Sequence, residues 1–298
     1  MGILQKLVSA THSAPAARAL ELVQYVIAAA WLCAAVVAYA LTAATFGVFD
    51  AATVPGLVGA IVLGALGVSL FAEWGELYGQ HARDLMAQAI FESVRRGKPD
   101  SAYSLYLRPF VSTDAISETQ LAPAGGVGLG ALSSERFELE AQIERAVRSI
   151  GPLIALGAPL EHIGAGRVAV SEGQWREAIR LLMSNASLII MLPSSRAGTL
   201  EEIAMILDSD LISRTIIVDP PNLASARRFD QAHEWAAVQG AFVKYGFELP
   251  DDSHSGMLVY FGRGRKPQLR EHLDIDAEDR VARLFRRVAK TIGTALAA

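Results

Sequence analysis

The feature that most constrains this chain is a pair of long apolar blocks near its start. The first runs from Leu22 to about Phe49 and the second from Val54 to Ala72, and neither contains Asp, Glu, Lys or Arg. Each block meets the requirement of about 20 apolar residues for a helix that crosses the hydrocarbon core of a bilayer. We therefore predict a transmembrane helical hairpin over residues 21–72, with the lipid bilayer as a partner.

Two other interpretations of these blocks are weaker. A cleaved signal peptide has a shorter apolar core that lies closer to the N-terminus, and no second apolar block follows it almost at once. A helical hairpin in the core of a soluble domain would be unusually free of polar residues. Two membrane spans explain the pattern best.

Basic residues predict the orientation of the hairpin. The short connection around Asp50 carries no Lys or Arg, whereas Lys6 and Arg18 precede the first block. The basic residues that follow the second block are Arg83, Arg95, Arg96 and Lys98. Because Lys and Arg concentrate on the cytoplasmic side of membrane proteins, we predict an inner (cytoplasmic) membrane protein with both termini in the cytoplasm.

The flanking segments complete the N-terminal organisation. Residues 1–20 are predicted as a cytoplasmic segment and residues 73–98 as an amphipathic connector helix. Gly56, Ala60 and Gly64 are spaced by four and form a small-residue stripe. Such a stripe lets helices approach closely, within the hairpin or between protomers, although small residues are also simply tolerated in lipid. A homo-oligomer formed through the membrane helices and the connector is one expectation.

Composition excludes several classes of site. The net charge of −4 gives no basic signature for nucleic acid. The single cysteine, Cys33, rules out a disulfide within the chain and argues against a thiolate or cysteine-metal site. The 6 histidines are scattered without the spacing of metal ligands. We predict no metal site.

Residues 99–298 alternate short apolar runs with amphipathic helical segments. The predicted strands are 102–107, 152–156, 167–170, 187–192, 215–218 and 257–261. The predicted helices lie at 134–150, after 171, from 199, at 224–245 and at 277–296. Strands separated by helices of this length indicate βαβ units. The expected fold class is α/β, a Rossmann-like mostly parallel sheet sandwiched by helices and preceded by the two-helix transmembrane hairpin, with residues 99–298 as the cytoplasmic domain.

The stretch from Ala186 to Leu207 is the strongest indication of a binding site. An apolar strand ends at Pro193, a loop of small residues follows, and Thr199-Leu-Glu-Glu202 opens an apolar-periodic helix. In open α/β sheets, ligands bind outside the carboxyl ends of the strands, where helix N-termini favour anions. We therefore expect the functional site at this edge of the sheet.

Glu202 is the candidate catalytic residue. A carboxylate beside such a loop can hold a ribose hydroxyl, or stabilise positive charge that develops at a sugar carbon as an N-glycosidic bond breaks. The alternative is structural, because Thr199-x-x-Glu202 is also a capping box in which the carboxylate accepts the Thr199 N–H. Both roles can hold at once.

The other candidates are substrate-binding residues in loops that follow the predicted strands. Arg108 is suited to binding phosphate through two hydrogen bonds, and its alternative is a salt bridge to a neighbouring carboxylate. The remaining candidates are Phe110, Asp114, Gly157, Ser194, Ser195, Gly198 and Thr199. The serines, Gly198 and Thr199 suit a phosphate or ribose, or an ordinary turn with a helix cap. Arg167 and Trp175 are predicted to be structural.

Four short segments carry a resemblance to known families. They are LYLRPF (105–110), GPLIALGAP (151–159), GAGRVAVSEGQW (164–175) and AGTLEEI (197–203). In this order they resemble the TIR and nucleoside 2-deoxyribosyltransferase-like superfamily, and in particular two-span bacterial membrane proteins that carry such a domain.

In these families, the acidic residue of a Gly-x-x-x-Glu arrangement opens the helix after a central strand and acts on the glycosidic bond of a nucleoside. Glu202 holds the matching position. The loop is also similar to Pro-Gly-Gly-x-Gly-Thr-x-x-Glu of cytokinin-activating nucleotide hydrolases, although here Ser194 and Ser195 replace the paired glycines and one residue is added. The resemblance implies hydrolysis of the N-glycosidic bond of NAD or a related nucleotide, which would be substrate rather than bound cofactor. The alternative is a non-catalytic nucleotide-binding or signalling module.

Overall fold

The computed structural model describes residues 14–46, 53–108, 139–161, 163–220, 231–251, 256–273, 283–288 and 290–292. The chain separates into two compact units, and the division falls between Leu85 and Met86. We call the described residues before this point the helical unit. The described residues from Met86 onward form the α/β unit.

The helical unit contains α1 (Ala14–Phe46) and most of α2 (Thr53–Arg95). Within the described part of the chain, α1 is the helix that is long and apolar enough to cross a membrane, over Pro15–Leu41 with a mean hydropathy of 2.0. Only 11% of its most apolar window is buried by protein. One N-terminal helix therefore has the length and composition of a membrane span.

Glycines of α2 allow close approach to α1. A Cβ atom at Gly67 would lie 3.0 Å from the Trp31 ring, and one at Gly79 would lie 2.6 Å from Oε1 of Glu21. The Trp31 ring also stacks on Phe71, with ring centroids 6.5 Å apart. Later residues of α1 contact earlier residues of α2, so the two helices are antiparallel where they touch.

The α/β unit is built on a sheet of seven strands in the order β3-β2-β1-β4-β5-β6-β7. The strands are β1 (Ser104–Leu107), β2 (Leu153–Leu156), β3 (Gly166–Val168), β4 (Leu188–Met191), β5 (Thr215–Asp219), β6 (Met257–Tyr260) and β7 (Leu269–His272). The first five are parallel, and β6 and β7 are antiparallel additions. This confirms the predicted α/β fold class with a mostly parallel sheet, to which β7 is an unpredicted addition.

Helices cover both faces of this sheet. They are α3 (Leu139–Val147), α4 (Trp175–Asn185), α5 (Ala197–Asp208) and α6 (Gln231–Lys244), with further helical residues at 283–288 and 290–292. The predicted helices at 134–150, 224–245 and 277–296 extend in part outside the described residues.

Alternate strand residues supply two apolar cores. Leu105, Leu107 and Ile189 pack with the end of α2 and with α4, α5 and α6. Leu153 and Ile190, on the opposite face, pack with α3 and with the C-terminal helical residues. Because both faces of the parallel strands are covered, the strands are continuous apolar runs, which made them recognisable in the sequence.

The position of β1 fixes where a ligand could bind. Leu105 of β1 is in register with Ile154 of β2 on one side and with Ile189 of β4 on the other. The chain moves outward from β1 to β3, then returns to place β4 on the other side of β1. A crevice forms at the carboxyl ends of strands where the order reverses in this way.

Candidate functional site

A cavity of about 840 Å³ lies at this reversal point. Loops that follow β1, β2 and β3 line it together with the first turns of α5. Its polar lining residues are Arg108, Glu161, Ser171, Arg196, Thr199 and Glu202. Leu156, Val170 and Trp175 contribute an apolar wall. The volume lies in the range of about 300–1,000 Å³ typical of small-molecule sites.

Glu202 reaches this cavity from the second turn of α5 and is only 7% exposed. The helix begins at Ala197, with Arg196 as its N-cap and no side-chain capping hydrogen bond. The capping-box interpretation of Thr199 and Glu202 is therefore wrong, because the helix starts two residues earlier than predicted. Among the described residues, the Glu202 carboxyl has no hydrogen-bond or ion-pair partner.

Burial sets the protonation state of Glu202. Removal from water raises the pKa of Glu202 to about 8, and the adjacent charge of Glu201 adds to the effect. Glu201 itself accepts a hydrogen bond from Nε of Arg176 at 2.6 Å, and this partner lowers the pKa of Glu201. Two neighbouring carboxyls thus differ at pH 7, because Glu202 is mostly protonated and Glu201 is charged.

Arg108 follows β1 and is paired with a carboxylate. Its Nη2 atom lies 2.7 Å from Oε2 of Glu161, and only 2% of the Arg108 side chain is exposed. The salt-bridge alternative stated for Arg108 is therefore present. Gly157 makes room for this pair, because a Cβ atom there would lie 2.7 Å from Oε2 of Glu161. Arg108, Gly157 and Glu202 line the same cavity.

The loop between β4 and α5 divides into two parts. Gly198 and Thr199 line the cavity, whereas Ser194 and Ser195 are not among its lining residues. The backbone N–H of Ser195 donates to the carboxylate of Glu234 in α6. Ser194 is buried, and its Oγ accepts the N–H of Arg196 at 3.3 Å. Ser194 and Ser195 therefore make hydrogen bonds within and beside the turn and do not line the cavity.

Two other candidates, Phe110 and Asp114, lie outside the described residues.

Arg167 is fully buried, and its Nη2 atom lies 2.5 Å from Oε1 of Glu140. The same oxygen accepts the backbone N–H of Ala165 at 2.9 Å. This pair ties β3 to α3, as expected of a structural arginine. Over the described residues, no group of three His, Cys, Asp or Glu side chains is placed to hold a metal ion.

Several cavity residues were not among the predicted binding residues, and Glu161, Arg196 and Trp175 bear most on what the cavity could bind. Glu161 follows β2 in a loop that lacks a recognisable motif. Arg196 is an exposed cation at the start of α5. Trp175 both packs against the core and lines the cavity, with the guanidinium of Arg176 stacked 5.0 Å from its ring centroid. Their positions after strands at the carboxyl edge are the one sequence signal that could have indicated them.

A scan against protein-family models, a search of curated proteins and a search of solved structures each found no match to this chain.

Proposed function

We propose that the α/β unit hydrolyses the N-glycosidic bond of NAD or a related nucleotide, with Glu202 as the key carboxyl group. The observation that carries the proposal is a buried carboxyl, without a protein partner among the described residues, inside a cavity at the strand-order reversal. An ionisable group held in this way costs folding free energy, so such groups concentrate at functional sites.

The chemistry requires help on both sides of the bond. As the bond between the sugar carbon and the base nitrogen breaks, the electron pair leaves with the base and positive charge develops on the sugar. Water then adds to the sugar carbon, and the proton that it loses passes to solvent or to the ionised Glu202 carboxyl. With a neutral base, protonated Glu202 supplies the proton that the leaving nitrogen needs.

A substrate such as NAD uses Glu202 differently. Its nicotinamide ring is already cationic and leaves as a neutral molecule, so no proton donor is needed. A positive charge beside Glu202 favours the carboxylate. The ionised group then stabilises the positive charge on the sugar. A carboxyl group that titrates near neutrality serves either substrate class.

Other cavity residues suit the rest of a nucleotide. The Trp175 ring and the apolar wall formed with Leu156 and Val170 match the face of a base. Arg196 and the first backbone N–H groups of α5, around Gly198, match a phosphate. A Cβ atom added at Gly198 would meet no atom within 4 Å, so the helix start is open to a ligand.

We further propose that α1 and the 53–72 part of α2 form a two-span anchor with both termini in the cytoplasm. The antiparallel contacts support this arrangement. So does a set of large apolar side chains that are more than half exposed: Leu22, Val26, Val36 and Leu41 of α1 and Val58 of α2. Apolar surface of this extent needs a covering phase, which a bilayer supplies. Association of these helices between protomers is part of the same proposal.

The test uses the full-length protein in nanodiscs, incubated with NAD and with AMP. Chromatography measures nicotinamide and adenine release. The wild type is expected to release at least one base, and Glu202→Gln is expected to lower the rate at least about 100-fold, because acid–base groups contribute on this scale. Undiminished release by Glu202→Gln contradicts the proposal. Nucleotide binding without release by a folded wild-type sample favours the non-catalytic module.

A further inference from the structure

Two hydrogen-bond donors converge beside the cavity at the end of β2. Nη2 of Arg108 and the backbone N–H of Ala158 both donate to Oε2 of Glu161, at 2.7 and 3.2 Å. A guanidinium and a backbone N–H that meet at one point form an anion-binding arrangement. The group that occupies it is a carboxylate of the same chain.

A short turn over residues 158–161 places the Glu161 carboxylate at this point. The Glu161 N–H donates to the Ala158 carbonyl at 3.2 Å, and Leu160 between them has φ of 59°. A branched, buried residue in the left-handed region is an unfavourable choice that surrounding contacts must hold in place. Gly157 lies beneath the pair, where a Cβ atom would also lie 3.2 Å from Nη2 of Arg108. The local backbone is arranged around the Arg108–Glu161 contact.

The two partners differ in exposure. The Arg108 side chain is 2% exposed, whereas 28% of the Glu161 side chain is exposed. The Glu161 carboxylate is therefore the partner that solvent and an entering ligand can reach, while the Arg108 guanidinium lies in the buried wall of the cavity. Both residues line the cavity that contains Glu202.

We propose that Arg108 and the Ala158 N–H form a phosphate subsite, and that Glu161 occupies it until the phosphate group of a ligand displaces the carboxylate. This inference rests on the proposed function, in which the cavity binds a nucleotide. A phosphate brings more charge and more acceptor oxygens than a carboxylate, and it matches the planar fork of arginine. A neutral nucleoside offers no group that can replace Glu161, so this residue selects for phosphorylated ligands.

Occupation by Glu161 lowers the apparent affinity for phosphate, because only the fraction of molecules with an open subsite can bind it. If the pair is closed for about nine-tenths of the time, its removal tightens phosphate binding about tenfold. Ligands without phosphate are unaffected by this change.

The experiment measures binding by calorimetry to the full-length protein in detergent. The probes are ribose 5-phosphate and ribose. Glu161→Gln and Glu161→Ala are each expected to bind ribose 5-phosphate about tenfold more tightly than the wild type, with ribose unchanged. Arg108→Gln is expected to reduce the advantage of ribose 5-phosphate over ribose.

The matched control is Glu248→Gln, which removes an exposed carboxylate paired with Lys266 outside the cavity lining. It is expected to bind both probes as the wild type does. Thermal unfolding of each variant verifies the fold before binding is compared. The inference is overturned if both Glu161 variants, with folds intact, bind ribose 5-phosphate no more tightly than this control.

Turnover separates this inference from the proposed function. If the Glu161 variants tighten phosphate binding while no nucleotide is hydrolysed, the subsite stands and the hydrolase proposal fails. If the wild type hydrolyses nucleotides but the Glu161 variants leave phosphate affinity unchanged, the hydrolase proposal stands and the subsite is wrong.

Discussion

Two buried carboxyls of the α/β unit, Glu140 and Glu202, have similar exposure and opposite surroundings. Glu140 is 5% exposed and accepts from the Arg167 guanidinium and from the Ala165 N–H. Glu202 is 7% exposed, faces a cavity and has no such partner among the described residues. Burial alone therefore says little about role. A carboxyl that is buried with its partners holds elements together, whereas one that is buried against an open cavity is available to a ligand.

The largest effect that tests this comparison is on stability at Glu140. Glu140→Ala removes a carboxylate that pairs with the fully buried Arg167 guanidinium, and breaking a buried ion pair in this way costs about 3–5 kcal/mol. We expect a lower free energy of unfolding, measured by denaturant titration followed by tryptophan fluorescence. A change below about 1 kcal/mol would show that the pair does not hold β3 to α3.

Replacement of Glu202 should raise the free energy of unfolding rather than lower it, and only at alkaline pH. Because the folded state raises the pKa of Glu202 from 4.5 to about 8, proton binding at Glu202 favours the folded state. This contribution to stability is fully present below pH 4.5 and is lost as the pH rises through about 8. Glu202→Gln keeps the shape without the charge. At pH 9 we expect it to be more stable than the wild type by at least about 2 kcal/mol, since one pKa unit corresponds to about 1.4 kcal/mol.

Thermal unfolding at pH 4.5 and at pH 9 measures this difference. At pH 4.5 the two proteins should be nearly equal, because Glu202 is then neutral in the folded state and about half protonated in the unfolded state. Equal stability at both pH values would mean that Glu202 finds a charged or hydrogen-bonded partner in solution.

The smallest effect is expected at Glu201, whose carboxylate is paired with Arg176 near the surface. Glu201→Gln should change stability by less than about 1 kcal/mol, because exposed ion pairs contribute little. It should also lower the pKa of Glu202 slightly, since the Glu201 charge raises that pKa. A large loss of stability would remove the contrast between the neighbouring carboxyls.

Much of the fold could be predicted because its strands are apolar runs bounded by turn residues. The run at 187–192 gave β4 within one residue at each end. By contrast, β7 was missed because Leu269–His272 reads Leu-Arg-Glu-His, with partly exposed residues and no apolar run. Its strand conformation comes from antiparallel pairing with β6, which local sequence does not encode.

The candidate site was predictable only in part for a similar reason. Glu202 stood out because it follows a strand and a loop of small residues. The Glu202 carboxyl does not cap the helix because α5 starts at Ala197, and the sequence defines helix ends poorly. The partnership of Arg108 and Glu161 joins residues that are 53 positions apart and follow adjacent strands, so it required the sheet order.

The most direct test of the central claim is the pH dependence of base release by the full-length wild type and by Glu202→Gln. With AMP, the wild-type rate should fall as the pH rises through about 8, because the proton donor is lost. With NAD, the same titration should instead raise the rate toward a plateau. Glu202→Gln should be slow and show no such transition with either substrate. A variant as fast as the wild type, with the same pH profile, would contradict the assignment of Glu202.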